Sequence, residues 1–246
     1  MSPKTNINRI FSPHALKRAW AAATLALLVM AWSGQAARSA PNPGVFPVDS
    51  SPYGKTYGEW GVIWWQAAFA LPVVGGDHPL FSGGAFGGDH NVVFLSGVPG
   101  PVTKNITIRP GTAIFFPVLN TECSVLEPDP FHGVDAASLI ACANLVMDNT
   151  AGMSASIDGV PVANLGAYRV QSLPFEYGPL PANNLLAVAY GDPVTFAAGA
   201  TSLAADAGVY LMLAPLSVGH HTIHLTGTEV SVGFTADTTY EITVAR

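Results

Sequence analysis

VYLMLAPLSVGHHTIHLTGTEVSVGFTADTTYEITVA, residues 209–245, decides the fold class. Three stretches of it read as strands, 209–213, 221–225 and 239–244. In the last, Tyr240, Ile242 and Val244 alternate with polar neighbours, the period of two that sets one row of side chains on a core and the other toward water. Ser217-Val218-Gly219 and Thr226-Gly227 supply the breaks between strands. Strands repeating about every ten residues with few helices predict a mainly β domain, a single jelly-roll-like β-sandwich.

Working upstream, Ser154 to Val160 reads as a hairpin, because Asp158-Gly159 supplies the positive φ angles of a type I′ turn. Ile106 and Ile108 alternate with polar residues, Pro110-Gly111 turns the chain, and residues 113–116 form a buried strand interrupted by Pro117. Residues 120–135 (NTECSVLEPDPFHGVD) read as an acidic loop. Two helices are expected to pack on the sheets. The first follows Thr56, which forms a T-x-x-E capping box with Glu59. Trp60, Ile63, Trp64, Ala67 and Ala68 then give it one apolar face, and Leu71-Pro72 ends it. The second spans 136–147 and is capped by Asp135. Between the first helix and the strands lies a Gly-rich loop, 73–90, in which Gly-Gly-Asp-His occurs twice.

The N-terminus sets the expected compartment. Before position 19 the chain carries Lys4, Arg9, Lys17 and Arg18 and no acid; residues 19–32 (AWAAATLALLVMAW) are apolar, and small residues follow through Ala37. Basic, apolar and small in that order predict a secretory signal peptide over 1–36, cut after Ala36. Its apolar run of 14 residues falls short of the roughly 20 a spanning helix needs, so no membrane span is expected in the mature chain. An uncleaved anchor is the alternative. The expected organisation is signal peptide 1–36, extended lead-in 37–52 and one domain over 53–246, secreted or periplasmic.

Removing the signal leaves six Lys and Arg against 16 Asp and Glu, a net charge of −10. Such a chain is repelled by phosphate backbones and anionic lipid, which excludes nucleic acid and a membrane surface as partners. The two cysteines, Cys123 and Cys142, read as one disulfide in an oxidising compartment. Closing a loop of about 20 residues stabilises by about 3 kcal/mol. Two buried free thiols are the alternative.

Several stretches taken together carry a resemblance: YGKTYGEWGVIWWQ (53–66), VVFLSG (92–97), GTAIFFPVLNTECS (111–124), IDGVPVANLGAYRV (157–170) and YLMLAPLSVGHHTIHLTG (210–227). The chain resembles a group of uncharacterised bacterial exported proteins, and the likeness spans nearly all of the mature part. It implies a bacterial, exported protein; no activity and no catalytic residue come with it. Such sequences often carry a further Cys in the loop before VVFLSG, which this chain lacks.

Among candidate site residues, Glu122 leads. It follows a buried strand and adjoins Cys123, which a disulfide would pin, and a carboxyl held in that way suits general acid–base work. Asn120 and Glu127 are near in sequence, and His224 or Arg169 would be the second ionisable group of a catalytic or binding site. The plainer reading is a loop acid bonded to backbone amides. Trp65, with its neighbouring indoles and Glu59, would serve a glycan site by stacking on sugar rings, or else simply fill the core. His220, His221 and His224 do not converge on one ion along a strand: four residues span about 13 Å, and His221 faces the other way. His224 with His90 or Asp89 is a mixed alternative. No cofactor is expected. Were a metal bound, calcium at Glu122, Glu127 and Asp129 or zinc would be the candidates. No G-x-S-x-G, H-E-x-x-H or P-loop motif occurs.

Three functions follow. The first is a non-catalytic, exported or surface-associated binding protein, with a glycan or cell-envelope component as partner. The second is a secreted hydrolase or lyase using Glu122 as acid or base. The third is a structural envelope component.

Overall fold

Thr56 and Glu59 close the expected capping box. Glu59 Oε2 accepts from the Thr56 N–H at 2.7 Å, and Thr56 Oγ1 accepts from the Glu59 N–H at 3.3 Å. The computed structural model describes residues 43–88 and 91–246. The expected signal peptide, the start of the lead-in through residue 42, and Asp89 and His90 lie outside the described residues.

In chain order the elements are α1 (Tyr57–Phe69), α2 (Pro79–Ser82), β1 (Val92–Phe94), β2 (Gly100–Ile108), β3 (Ala113–Ser124), α3 (Ala136–Asp148), β4 (Thr150–Ile157), β5 (Val160–Pro161), β6 (Arg169–Gln171), β7 (Phe175–Tyr177), α4 (Leu185–Tyr190), β8 (Ser202–Leu213), β9 (Gly219–Glu229) and β10 (Phe234–Val244). The fold is mainly β. The two longest helices, α1 and α3, are those the sequence predicts; α2 and α4 are short additions.

One sheet runs β1-β3-β8-β6, with β7 also on β8; β1 lies parallel to β3 and the other pairs are antiparallel. The second runs β10-β9-β4-β5, all antiparallel. Asp158 (φ 51°) and Gly159 (φ 75°) make the predicted turn between β4 and β5. β2 flanks β10, where the Ala245 N–H reaches the Ile108 carbonyl at 3.1 Å. The second sheet approaches β3 closely at Gly227: a Cβ there would stand 2.8 Å from Leu119 Cδ1, so a larger residue would force the Leu119 side chain to shift.

The three neighbouring indoles of α1 fasten it to the sheet. Trp60 Nε1 donates to the Pro52 carbonyl, Trp64 Nε1 to the Leu95 carbonyl and Trp65 Nε1 to Asp206. Each ring is buried, and each N–H, which would otherwise be stranded in the core, has an acceptor. On β3, side chains alternate between faces. Glu122 shares a side with Asp206 across the ladder, while Cys123 faces the other way and bonds to Cys142 of α3. The predicted disulfide is therefore present, and it ties α3 to β3.

The structure corrects one expectation directly relevant to the site. Pro117 does not end the strand, and residues 120–124 are not loop: β3 continues to Ser124. Phe115 turns its carbonyl to the Leu95 N–H, on the side of β1. Pro117, two residues on, presents its nitrogen to that same side, where β1 has already ended opposite Phe115. No ladder bond is lost there, and a register shift between Pro117 and Leu119 absorbs the ring. Asn-Thr-Glu-Cys-Ser reads as loop because it is polar, yet four of the five are buried.

Candidate functional site

Glu122 of β3 stands opposite Asp206 of β8. Asp206 turns its backbone away from β3, donating its N–H to Ser172 Oγ at 2.9 Å and accepting from the Ser172 N–H at 2.8 Å. Ser124 likewise sends its N–H away from β8, to the Phe131 carbonyl at 3.0 Å, and Glu122 lies two residues earlier in the same strand. The acids thus form a non-hydrogen-bonded cross-strand pair, the closer kind, with Cα atoms about 4.5 Å apart. Like charges so placed repel, and burial removes the water that would screen them.

Around Asp206 the structure is tightly built. Its Oδ1 accepts from Trp65 Nε1 and from the Tyr210 hydroxyl, both at 2.8 Å. The Tyr210 ring, stacked on Phe115 at 5.1 Å, bends over Gly208, where a Cβ would meet it at 2.5 Å. Oδ2 receives no donor among the described residues and abuts Gly61 of α1, where a Cβ would lie 2.7 Å away. Burial pushes the Asp206 carboxyl up to about 7, and the two donated hydrogen bonds offset only part of that.

Glu122 forms a second acid pair, with Glu127. Burial holds Glu122 well above the usual carboxylate range, reinforced by the charge of Glu127, by their mutual hydrogen bond and by Asp206. Burial also raises Glu127, but less, because it receives hydrogen bonds from Glu122, Ser124 and Tyr190. Two buried carboxyls so placed resist being ionised together. Ser124 Oγ donates to Glu127 Oε2 at 2.8 Å and the Tyr190 hydroxyl to Oε1 at 3.0 Å. Glu122 Oε1, fully buried, takes no hydrogen bond from any N–H or hydroxyl among the described residues. A further acid, Glu229 of β9, accepts from Thr121 Oγ1 at 3.1 Å, and burial lifts it to about 7.

Glu122, Glu127 and Glu229 border one cavity of about 660 Å³, within the range that houses small organic ligands. It occupies the edge of β3 that faces away from β8. Beyond Phe115 that edge has no strand beside it among the described residues, and residues 117–122 line the cavity instead. Trp64, Trp65 and Phe69 of α1 form another wall, and α2, α4 and the loop through Phe131 close around it. Most of the lining is aromatic or aliphatic, and among the described residues no Lys, Arg or His belongs to it.

Of the residues singled out from the sequence, Glu122, Asn120 and Trp65 meet at this cavity. Asn120 Nδ2 donates to the Tyr210 hydroxyl at 2.9 Å. His224 and Arg169 lie elsewhere. His224 is on the outer face of the second sheet with Asp237 at 2.8 Å, and Arg169 bridges Asp148 and Asn144 of α3. Among the calcium candidates, Glu122 and Glu127 border the cavity and Asp129 does not. Glu59 is engaged in its capping box, and Trp64 and Trp65 present no open ring face to solvent. The histidines of β9 separate as strand geometry requires, His221 to Asp158 and His220 to Thr243. Asp89 and His90 lie outside the described residues.

Sequence reading missed Asp206 and Glu229, although each leaves a signal. Asp206 is the sole charge in the run LAADAGVYLML, 203–213, which otherwise reads as core. Glu229 falls in phase with Ile223, Leu225 and Gly227, the buried face of β9. An acid at a core position is the informative residue in both. No protein-family model, no curated protein and no solved structure matches the chain.

Proposed function

We propose that the chain is an exported binding protein, and that its ligand is a small molecule with an apolar body held in the cavity beside β3. The supporting observation is the cavity itself: about 660 Å³, walled mainly by aromatic and aliphatic side chains, and formed where β3 lacks a neighbouring strand. A sugar ring needs an open aromatic face and many hydrogen-bonding groups; this wall offers packed rings and a small polar patch, which suits an amphiphile better than a glycan. We read the two sheets as the jelly-roll-like sandwich expected from the strand pattern, and the basic, apolar and small-residue N-terminus as an export signal. The disulfide fits an oxidising compartment, and among the described residues no helix is long and apolar enough to cross a membrane.

Uptake of a neutral solvatochromic dye tests the binding reading. One dye per chain with a blue-shifted emission is expected, abolished by Leu186→Trp, which fills the cavity from α4. No uptake, or uptake indifferent to Leu186→Trp, defeats it and leaves the structural envelope role. Export is tested by N-terminal sequencing of protein recovered outside the cytoplasm, which should begin at Ala37.

One observation favours a second reading, acid–base catalysis. Glu122 and Glu127 lie together at a cavity wall, with burial holding both carboxyls above their ordinary range, and such pairs serve proton transfer. A hydrolase or lyase of this kind would lose turnover in both Glu122→Gln and Glu127→Gln while still binding the dye; dye binding with no hydrolysis or elimination of ester, glycoside or uronate substrates sets it aside.

A further inference from the structure

The cavity wall is rich in hydrogen-bond acceptors, and several of its side-chain donors are already engaged. The indole N–H of Trp64 goes to the Leu95 carbonyl and that of Trp65 to Asp206. The Tyr190 hydroxyl goes to Glu127, Thr121 Oγ1 to Glu229 and Asn120 Nδ2 to Tyr210. Glu122 Oε1 in the same wall is fully buried and accepts from none of them. Among the described residues, three carboxyls border the space and no cationic side chain does. What the wall lacks is a donor carrying positive charge. The other surfaces on offer are aromatic and aliphatic, which suit an apolar body attached to that charge.

We infer that the cavity takes an organic ammonium ion, with the –NH₃⁺ group on Glu122 and Glu127 and its apolar body against Trp64, Trp65 and Phe69. This rests on the binding reading above and specifies its ligand class. A carboxylate ligand would meet three acids of its own sign. A neutral alcohol has a single donor proton and no charge to balance the pair.

An ammonium seated there favours ionisation of both Glu122 and Glu127, so binding is linked to proton release and affinity rises with pH. The titratable groups that face Glu122 from the surrounding elements are Glu127 of the following loop, Asp206 of β8, Tyr177 of β7 and Tyr190 of α4; Glu229 of β9 borders the same space. None is basic. Each acid among them changes charge in the same direction as Glu122 when pH rises, so they strengthen the trend.

Displacement of the bound dye by three matched probes tests the inference on the mature, disulfide-intact protein: 4-phenylbutylamine, 4-phenylbutanol and 4-phenylbutyrate. The amine should bind about tenfold or more tighter than the alcohol at pH 8, and the butyrate weakest. The preference should shrink at pH 5. In Glu122→Gln, and separately in Glu127→Gln, the amine and the alcohol should become nearly equal when each is referred to that variant's own dye affinity. Alcohol or butyrate binding as tightly as the amine at pH 8 overturns the ammonium assignment and leaves the cavity reading intact. So does a preference that both variants keep. Failure of the dye to bind at all removes both readings.

Discussion

Replacing Asp206 by Asn should make the protein's stability less sensitive to alkaline pH. The carboxyl lies fully buried with no cation beside it, and Oδ1 carries both of its hydrogen bonds, from Trp65 and Tyr210. An amide keeps an acceptor oxygen in that place, so the substitution removes the charge and retains both bonds. The amide's NH₂ group takes the place of Oδ2 beside Gly61 without an acceptor, a penalty of about 1–2 kcal/mol that does not vary with pH. The informative quantity is therefore the slope. Folding raises this pKa from 3.8 to about 7. The native state thus holds its proton where the unfolded chain has lost it. The associated stability is fully present below about pH 4 and is lost as pH climbs through 7. At 1.36 kcal/mol per unit, the whole loss is about 4 kcal/mol, of which about 3 falls between pH 5 and pH 9. Urea unfolding of wild type and Asp206→Asn at pH 5, 7 and 9 measures it. The difference between the two proteins should move by about 3 kcal/mol in favour of Asn across that range. Parallel profiles would refute the reasoning, for they would mean that Asp206 is ionised throughout and balanced by something other than a proton.

Glu229→Gln should act in the same direction: its pKa, raised from 4.5 to about 7, takes stability away as pH rises through 7. The variant, keeping its bond from Thr121, should melt higher than wild type at pH 9 and show less advantage at pH 5. Gly61→Ala should destabilise by about 1–3 kcal/mol, because its Cβ meets Asp206 Oδ2 at 2.7 Å; thermal unfolding reads this, and Asp206→Ala in the same chain should recover part of the loss. Joint Cys123→Ala and Cys142→Ala should lower unfolding free energy by about 3 kcal/mol in urea, and wild type treated with reductant should match the double variant.

Features set by neighbouring residues were legible in the sequence, and features set by distant ones were not. The capping box of Thr56 and Glu59, the Asp158-Gly159 turn and the Asp135 cap each depend on side chains a few positions apart, where one residue type decides the conformation. The disulfide was legible because two cysteines, once oxidised, have one partner each. The far half of β3 was not. Its last residues are polar, and polarity is evidence of a loop only where the chain meets water; here α1, α3 and the second sheet cover them. The acids that face Glu122 come from 84 residues downstream (Asp206) and from a loop (Glu127), so no spacing rule connects them. Asn120, Glu122 and Trp65 were singled out for their chemistry and do share the cavity. His224 and Arg169 were chosen as partners on chemistry alone, and each is already paired at the surface.

The energetic balance of the four buried acids separates two kinds of role. Among the described residues each is held partly by hydroxyl or indole donors and by no cation, so each reduces stability near neutral pH, where an amide of the same shape would not. Asp206 is architectural. It receives Trp65 from α1 and Tyr210 from its own strand, where Gly61 admits it, and it does not border the cavity. For Glu122, Glu127 and Glu229 that account is incomplete, because they border open volume and one Glu122 oxygen receives no donor. Packing alone would favour Gln or Leu at Glu122, whose neighbours include two other acids, Glu127 and Asp206. A ligand that brings both a positive charge and a hydrogen-bond donor relieves the deficit there, and the stability lost in the empty protein then reappears as affinity when the cavity fills.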